Sequence, residues 1–310
     1  MAVKNLVSGG AGFLGSHLID RLLDNGEEVF CLDNYITGQK KNISHQLINK
    51  KLKIIEKDVI EPIECKVDKI WHFACPASPS YYYKDPIKTA RINFIGTYNM
   101  LELAKKNDAR FLLASTSEVY GNPKIHPQTE DYFGNVNFTG ERSCYSEGKR
   151  NAESLCLDYL RKHSCEIRVA RIFNTYGPRM NPNDGRVIGK FINQSLKKQS
   201  LTINGNGKQT RSFCFVDDLI DGLILLMNSN CREPINLGNP SEISIYDLGQ
   251  KISTKLNLQF KYMYSNIHQD DPINRKPCIK KAKYLLNWEP KINLDYGLEK
   301  TIYYYKKNLF

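Results

Sequence analysis

A doubly wound α/β fold, with a parallel sheet and a second, smaller mixed α/β unit, is predicted by three observations. The chain opens with an apolar run at residues 3–7, a glycine-rich turn at 8–15 and an amphipathic run to Leu23. A second apolar run, 29–32, ends in the acid Asp33, 18 residues after Gly15. Beyond it, short apolar runs alternate with segments of helical period, the pattern of parallel strands joined by crossover helices.

Each element follows from its residues. Gly9 permits a tight turn after the first strand, Gly12 lets backbone amides approach a pyrophosphate at a helix N-terminus, and Gly15 lets that helix pack closely on the sheet. Asn25-Gly26 closes the helix. Asp33 is suited to adenosine ribose hydroxyls and repels a 2′-phosphate, so NAD is favoured, while Lys40 and Lys41 leave NADP open. This strand-turn-helix-strand-acid order predicts a Rossmann-type sheet. Its further strands are expected at 52–55, which leads to Asp58 and Val59 at an adenine edge, then at 69–74, 111–114 and 166–170. His72, inside an apolar strand, reads as a core histidine. Asn93, on an expected helix over 88–104, faces either the cofactor or the core. We expect an NAD-binding unit over 1–174 and a substrate-binding unit over 175–310, with the chain free to cross back.

Composition narrows the function. At 310 residues and 41% hydrophobic, the chain has enough apolar surface for a large core. Nine cysteines without a C-x-x-C pair, and no leader-like segment before the first strand, are expected of reduced thiols in a cytoplasmic protein rather than a zinc site. No apolar run approaches the ~20 residues of a membrane span. The formal charge of +11 is spread over dispersed lysine pairs such as Lys105-Lys106 and Lys197-Lys198, which suits an anionic small molecule better than nucleic acid.

The reactive pattern lies in Ser115-Thr116-Ser117-Glu118-Val119-Tyr120-Gly121 and in Tyr145-Ser146-Glu147-Gly148-Lys149. On a helix, Tyr145 and Lys149 lie one turn apart, where the cation is expected to lower a phenol pKa that starts near ~10. Thr116, at the end of an apolar strand, is placed to share the same substrate oxygen. The spacing alone is weak, since Tyr120/Lys124, Tyr296/Lys300 and Tyr303/Lys307 repeat it. The Ser-Thr-Ser-Glu segment and the glycine turn single out Tyr145. Together they are machinery for removing a proton from an alcohol while its hydride leaves for a nicotinamide.

Those segments resemble the extended short-chain dehydrogenase/reductases that act on nucleotide sugars. Pro76-Ala77-Ser78-Pro79, Asp85-Pro86-Ile87-Lys88-Thr89, the run from Arg171 to Met180, Asn183-Asp184-Gly185-Arg186-Val187, Asp270-Asp271-Pro272 and Arg275-Lys276-Pro277 resemble the UDP-glucuronate decarboxylase family among them. Ser117-Glu118 matches those decarboxylases, whereas sugar dehydratases carry Asp-Glu there and epimerases usually lack the acid. The resemblance implies NAD-dependent, redox-neutral conversion of UDP-glucuronate to UDP-xylose through a 4-keto sugar. Related outcomes are release of the 4-keto pentose, UDP-apiose formation or a silent nucleotide-sugar binder. It implies Thr116, Ser117, Glu118, Tyr145, Lys149 and Arg275 as catalytic residues, with Arg275 reaching the sugar carboxylate unless it merely neutralises Asp270 or Asp271. Cofactor residues implied are Gly9, Gly12, Phe13, Leu14, Gly15, Asp33, Asn34, Thr37, Gly38, Asp58, Val59, Ala74, Asn93, Tyr145 and Lys149. For the UDP-sugar they are Ser78, Tyr82, Lys88, Glu118, Asn174, Arg186, Gln209, Arg211 and Arg275. Asn204 departs from the family, which tends to have an aromatic there. A homodimer is expected through the apolar faces 101–104 and 155–160.

Overall fold

The computed structural model describes residues 2–266 and 274–309. In chain order the first part contributes β1 (Lys4–Ser8), α1 (Phe13–Asp24), β2 (Glu28–Asp33), β3 (Leu52–Glu56), β4 (Lys69–His72), α2 (Pro79–Tyr82), α3 (Pro86–Arg91), α4 (Thr97–Asn107), β5 (Arg110–Thr116), α5 (Ser143–His163) and β6 (Ile167–Ile172). The second adds β7 (Thr175–Tyr176), α6 (Val187–Leu196), β8 (Leu201–Asn204), β9 (Thr210–Ser212), β10 (Cys214–Phe215), α7 (Val216–Asn228), β11 (Ile235–Leu237), β12 (Glu242–Ser244), α8 (Ile245–Lys255), β13 (Tyr262–Ser265), β14 (Asn274–Arg275), α9 (Lys280–Leu286) and α10 (Leu294–Leu309).

Seven strands form the central sheet in the order β11-β6-β5-β4-β1-β2-β3, and every neighbouring pair is parallel. Side chains alternate across it with period two. Leu112 of β5 packs with Leu18, Ile19 and Leu22 of α1 and Leu219, Leu223 and Leu226 of α7. Phe111 and Leu113 pack instead with Leu101 and Ala104 of α4 and Ala152 and Cys156 of α5. Because β11 and α7 follow residue 174, the chain returns to the large sheet from its second half. The remaining strands make small sheets, β12-β9-β14, β13-β8 and β10-β7. In the first of them β14 lies parallel to β9, with Arg275 opposite Arg211.

Two local features differ from the sequence reading. The helix expected over 88–104 is α3 and α4 joined by a π turn at Ile92–Gly96. Of the faces expected to meet a second copy, Leu101, Leu103, Ala104, Cys156 and Tyr159 are buried in the protomer's own core, while Leu155, Leu157 and Leu160 are half-buried. On the same helices it is Phe94 and Tyr98 that are exposed. All nine cysteines are free thiols, as expected of a reduced protein. Among the described residues no helix is long and apolar enough to cross a membrane.

His72 sits in the core, with Nδ1 2.7 Å from Ser8 Oγ and Nε2 3.2 Å from Thr97 Oγ1. Burial, reinforced by Lys149, lowers its pKa to about 3. A histidine held neutral when folded takes up a proton on unfolding below its ordinary value near ~6.5, so the stability it confers is complete above that pH and is lost as pH falls toward 3. Urea unfolding should therefore give a smaller free energy at pH 5 than at pH 7, by up to about 1.4 kcal/mol per pH unit from this side chain. A His72 imidazolium resonance in NMR spectra of the folded protein at pH 5 would contradict it.

Candidate active site

The carboxyl ends of the strands open into one cleft of about 700 Å³ between the large sheet and the second half of the chain. At its cofactor end the chain turns sharply after β1, with Gly9 at φ +73° and its amide donating to the Leu32 carbonyl at 2.8 Å. A Cβ on Gly15 would lie 2.2 Å from the Gly9 carbonyl oxygen, so only glycine lets α1 start this close to the turn. Asp33, at the end of β2, accepts from the amides of Ala11 (2.9 Å) and Tyr35 (2.8 Å). It locks the glycine turn against the next loop. Burial raises its pKa, against the opposing pull of those backbone donors.

Gly9, Gly12, Phe13, Leu14, Gly15, Asp33, Asn34, Thr37, Asp58, Val59 and Ala74 all stand on the cleft wall. Gly38 stands behind it, because a Cβ there would fall 2.7 Å from an Asp33 carboxylate oxygen. Lys40, the residue that left NADP open, is held by Glu56 at 2.9 Å and lies 4.6 Å from the Tyr35 ring centre. The glycine cradle and the acid fit NAD. Asn93 is not on the wall: it is buried under α5, where a Cβ on Gly148 would meet its amide nitrogen at 2.7 Å, and it donates to the Thr89 carbonyl.

At the other end, β5 delivers Thr116 and a single 3-10 turn, Ser117–Tyr120, presents Ser117 and Glu118. The Thr116 hydroxyl accepts from the Glu118 amide at 3.2 Å and so fixes where that turn begins. The first turns of α5 carry Tyr145 and Lys149, both buried. The Tyr82 ring stacks on Tyr145, centre to centre 5.3 Å and nearly parallel. Lys149 donates to the Ala114 carbonyl at 2.8 Å. Here the structure reverses a sequence expectation. Burial pushes the Tyr145 phenol well up, aided by Cys75, and outweighs its hydrogen bond with Thr116 and the charge of Arg186. Lys149 is itself lowered by burial, against Cys75, Cys156 and Glu153. Desolvation, not the lysine, dominates the phenol of the free protein.

Glu118 faces Arg275. Two guanidinium nitrogens reach its two carboxylate oxygens, one of them at 3.4 Å, and Arg275 also donates to the Gly121 carbonyl at 3.1 Å. Burial acts to raise the Glu118 carboxyl, yet Arg275, Arg142 and Arg211 together hold it below the ordinary range. The alternative partners for Arg275, Asp270 and Asp271, lie with Pro272 outside the described residues.

Ser78, Tyr82, Asn174, Arg186, Gln209 and Arg211 also stand on the wall. Ser78 Oγ and Gln209 Oε1 are buried there without a protein partner. Arg186 is held by Asp184 and lies 5.4 Å from the Phe13 ring centre. Gln209 donates to the Asn204 carbonyl at 2.6 Å, while the Asn204 side chain accepts from Ser265 at 2.8 Å. Lys88 stands off the wall, where it pairs with Asp58 at 3.2 Å. Sequence reasoning missed Arg142 and Arg179, which line the cleft. Arg142 precedes Tyr145 by three positions, one helical turn, and that spacing was a usable signal.

The sequence profile of the NAD dependent epimerase/dehydratase family matches residues 5–238. The chain belongs to this family. It is 52% identical over 304 residues to UDP-glucuronic acid decarboxylase 1 of Xenopus tropicalis, covering 98% of this chain and 72% of that one. Against UDP-glucuronic acid decarboxylase 3 of Arabidopsis thaliana the identity is 54% over 297 residues, covering 96% and 87%. Among solved structures, UDP-glucuronic acid 4-epimerase from Bacillus cereus, in complex with UDP-glucuronic acid and NAD, superposes with a TM-score of 0.90 at 29% identity and covers 98% of this chain and 99% of that one. The family's cofactor, NAD, is the one the cradle fits.

Because the folded Glu118 pKa is depressed, the stability of its pairing is present above the unfolded carboxylate pKa near ~4.3 and is lost as pH falls through the folded value. Glu118→Gln should therefore destabilise the ligand-free protein by about 1–3 kcal/mol at pH 7, with the difference from wild type shrinking as pH falls below ~4. Urea unfolding at both pH values checks this. A difference that does not change with pH would mean that the carboxylate is not ionised in the pair.

Proposed function

We propose that this chain decarboxylates UDP-glucuronate to UDP-xylose, with NAD used and regenerated in each turnover. One observation carries the reading: a carboxylate, Glu118, is held ionised by Arg275 in the cleft that also holds Thr116 and Tyr145. The identity to decarboxylases over nearly the whole chain supports it.

When bound, NAD supplies a reversible acceptor for the hydride at the sugar C4. The chain's own residues do the rest. Tyr145, beside the Thr116 hydroxyl, moves the proton at O4. With a ketone at C4, the C6 carboxylate is that of a β-keto acid, and CO2 leaves to give an enolate rather than a free carbanion. The charge that develops on O4 is stabilised by hydrogen bonds from Tyr145 and Thr116 in a site from which water is largely excluded. The raised phenol pKa suits Tyr145 to return a proton to that oxygen. Ser117 and Glu118 manage the water or proton that reaches C5. A C6 carboxylate entering here competes for Arg275, which raises the Glu118 pKa and readies it to carry a proton.

Arg186, Arg211, Asn174 and Gln209 offer donors for a diphosphate and a base, and the guanidinium fork suits phosphate oxygens. The Asn204 amide, tied to Ser265, offers no aromatic face to uracil, so base recognition here falls to hydrogen bonding at Gln209. A homodimer belongs to the same reading, with exposed Phe94 and Tyr98 as its apolar contribution, and a reducing cytoplasmic compartment fits the nine free thiols.

Purified protein given UDP-glucuronate should release CO2 and form UDP-xylose, identified by NMR, with NAD needed only in catalytic amount. NADH accumulating in step with product would contradict a redox-neutral cycle, and UDP-apiose or free 4-keto pentose as main product would move the chain to a neighbouring activity. Tyr145→Phe should cut turnover by about 10²-fold or more, with UDP affinity within about twofold. Near-normal turnover would assign the O4 proton to another residue.

A further inference from the structure

We propose that Tyr120 is a positioning residue: through its hydroxyl, the Glu153–Arg171 pair sets where the Glu118 turn stands against the Arg275 strand. This rests on the decarboxylase reading for its meaning, and on a chain of buried and half-buried hydrogen bonds for its geometry.

The chain begins under the reactive helix. Glu153, one turn beyond Lys149 on α5, is buried and accepts from the hydroxyl of Ser115, the neighbour of Thr116. It also accepts from Arg171 of β6, at 2.8 Å from Nη2 and 3.1 Å from Nε. Arg171 then donates at 3.0 Å to the hydroxyl of Tyr120, which is buried and closes the 3-10 turn two residues after Glu118. That hydroxyl donates onward to Asn236 Oδ1 at 2.7 Å. Asn236, on β11, gives its amide hydrogens to the carbonyls of Gln128 (3.1 Å) and Cys278 (3.2 Å). Gln128 closes the path. Its amide donates to the Lys276 carbonyl at 2.9 Å, its side-chain oxygen accepts from the Lys276 amide at 2.9 Å, and its carbonyl accepts from the Cys278 amide at 2.8 Å.

The residues at the far end directly follow Arg275. One path of polar contacts thus joins the strand of Thr116, the helix of Tyr145, the turn that carries Glu118 and the residue that follows Arg275. Two links run from Arg171 to Asn236: one through Glu130, whose carbonyl accepts from Arg171 at 2.9 Å and whose carboxylate accepts from the Asn236 amide at 2.9 Å, and one through the Tyr120 hydroxyl, which is the link seated on the Glu118 turn. A merely structural network would need only to satisfy its own groups. This one fixes two catalytic groups that come from positions 157 apart in the chain.

Tyr120→Phe removes that oxygen and keeps the ring packed on Phe173 (6.1 Å) and Arg171 (5.1 Å). The expected result is a kcat for UDP-glucuronate about 10-fold lower, with KM and UDP affinity within about twofold. In a Glu118→Gln background the same change should cost no more than about twofold, because the carboxylate it positions is gone. In the ligand-free protein, the Glu118 carboxyl followed by ¹³C NMR should titrate at least about half a pH unit higher in Tyr120→Phe than in wild type. Equal loss in both backgrounds, or an unmoved Glu118 titration, would make Tyr120 a packing residue and overturn the proposal. If Tyr120→Phe does not fold, Asn236→Asp keeps the acceptor for Tyr120 and removes the donors to Gln128 and Cys278. The same losses and the same titration shift are then expected of it, and their absence overturns the proposal equally. A wild type that releases no CO2 from UDP-glucuronate would sink the decarboxylase reading alone, and the titration would still decide the role of Tyr120.

Discussion

The Glu118–Arg275 pair is the interaction on which the rest of the site depends. Arg275 is buried and Glu118 is largely so, and taking either charge out of water alone would be costly. Glu118 stands at the end of a strand of the large sheet, Arg275 on a small sheet from the second half. Their pairing therefore tethers the two parts across the cleft. Arg142 and Arg211 add their charge to that of Arg275 at the Glu118 carboxylate.

Burial governs the other reactive group in the opposite sense. The Tyr145 phenol is driven up because it is buried, with the Tyr82 ring stacked on it, while Lys149, one turn along α5, is itself lowered by burial. A tyrosine of this kind holds its proton at rest and releases it only when ligands change the local charge. The same desolvation strengthens every hydrogen bond made to an oxyanion at O4, so the property that delays ionisation also serves the later step.

Much of this was legible in the sequence where the determinant is local. The glycine turn, Asp33 and the start of α1 are set by spacing within a few residues, and β5 with Thr116 by an unbroken apolar run ending in polar residues. Tyr145 and Lys149 were legible because α5 is a regular helix. Pairings made only by the tertiary fold were not legible. Nothing near Lys88 announces Asp58 as its partner, nothing near Glu118 announces Arg275, and the lowering expected of Lys149 on Tyr145 lost to burial that no spacing reveals. In the runs at 101–104 and 155–160 helical period shows an apolar side but not what covers it, and for Leu101, Leu103, Ala104, Cys156 and Tyr159 the protomer's own core does.

In the proposed cycle one hydrogen at C4 is lent and returned, while a different one, from water, arrives at C5. Turnover of UDP-glucuronate in D2O, with the product read by NMR, separates the two directly. UDP-xylose should carry a single deuterium at C5, in one configuration, and none at C4. Deuterium at C4, or an unlabelled C5, would contradict the cycle.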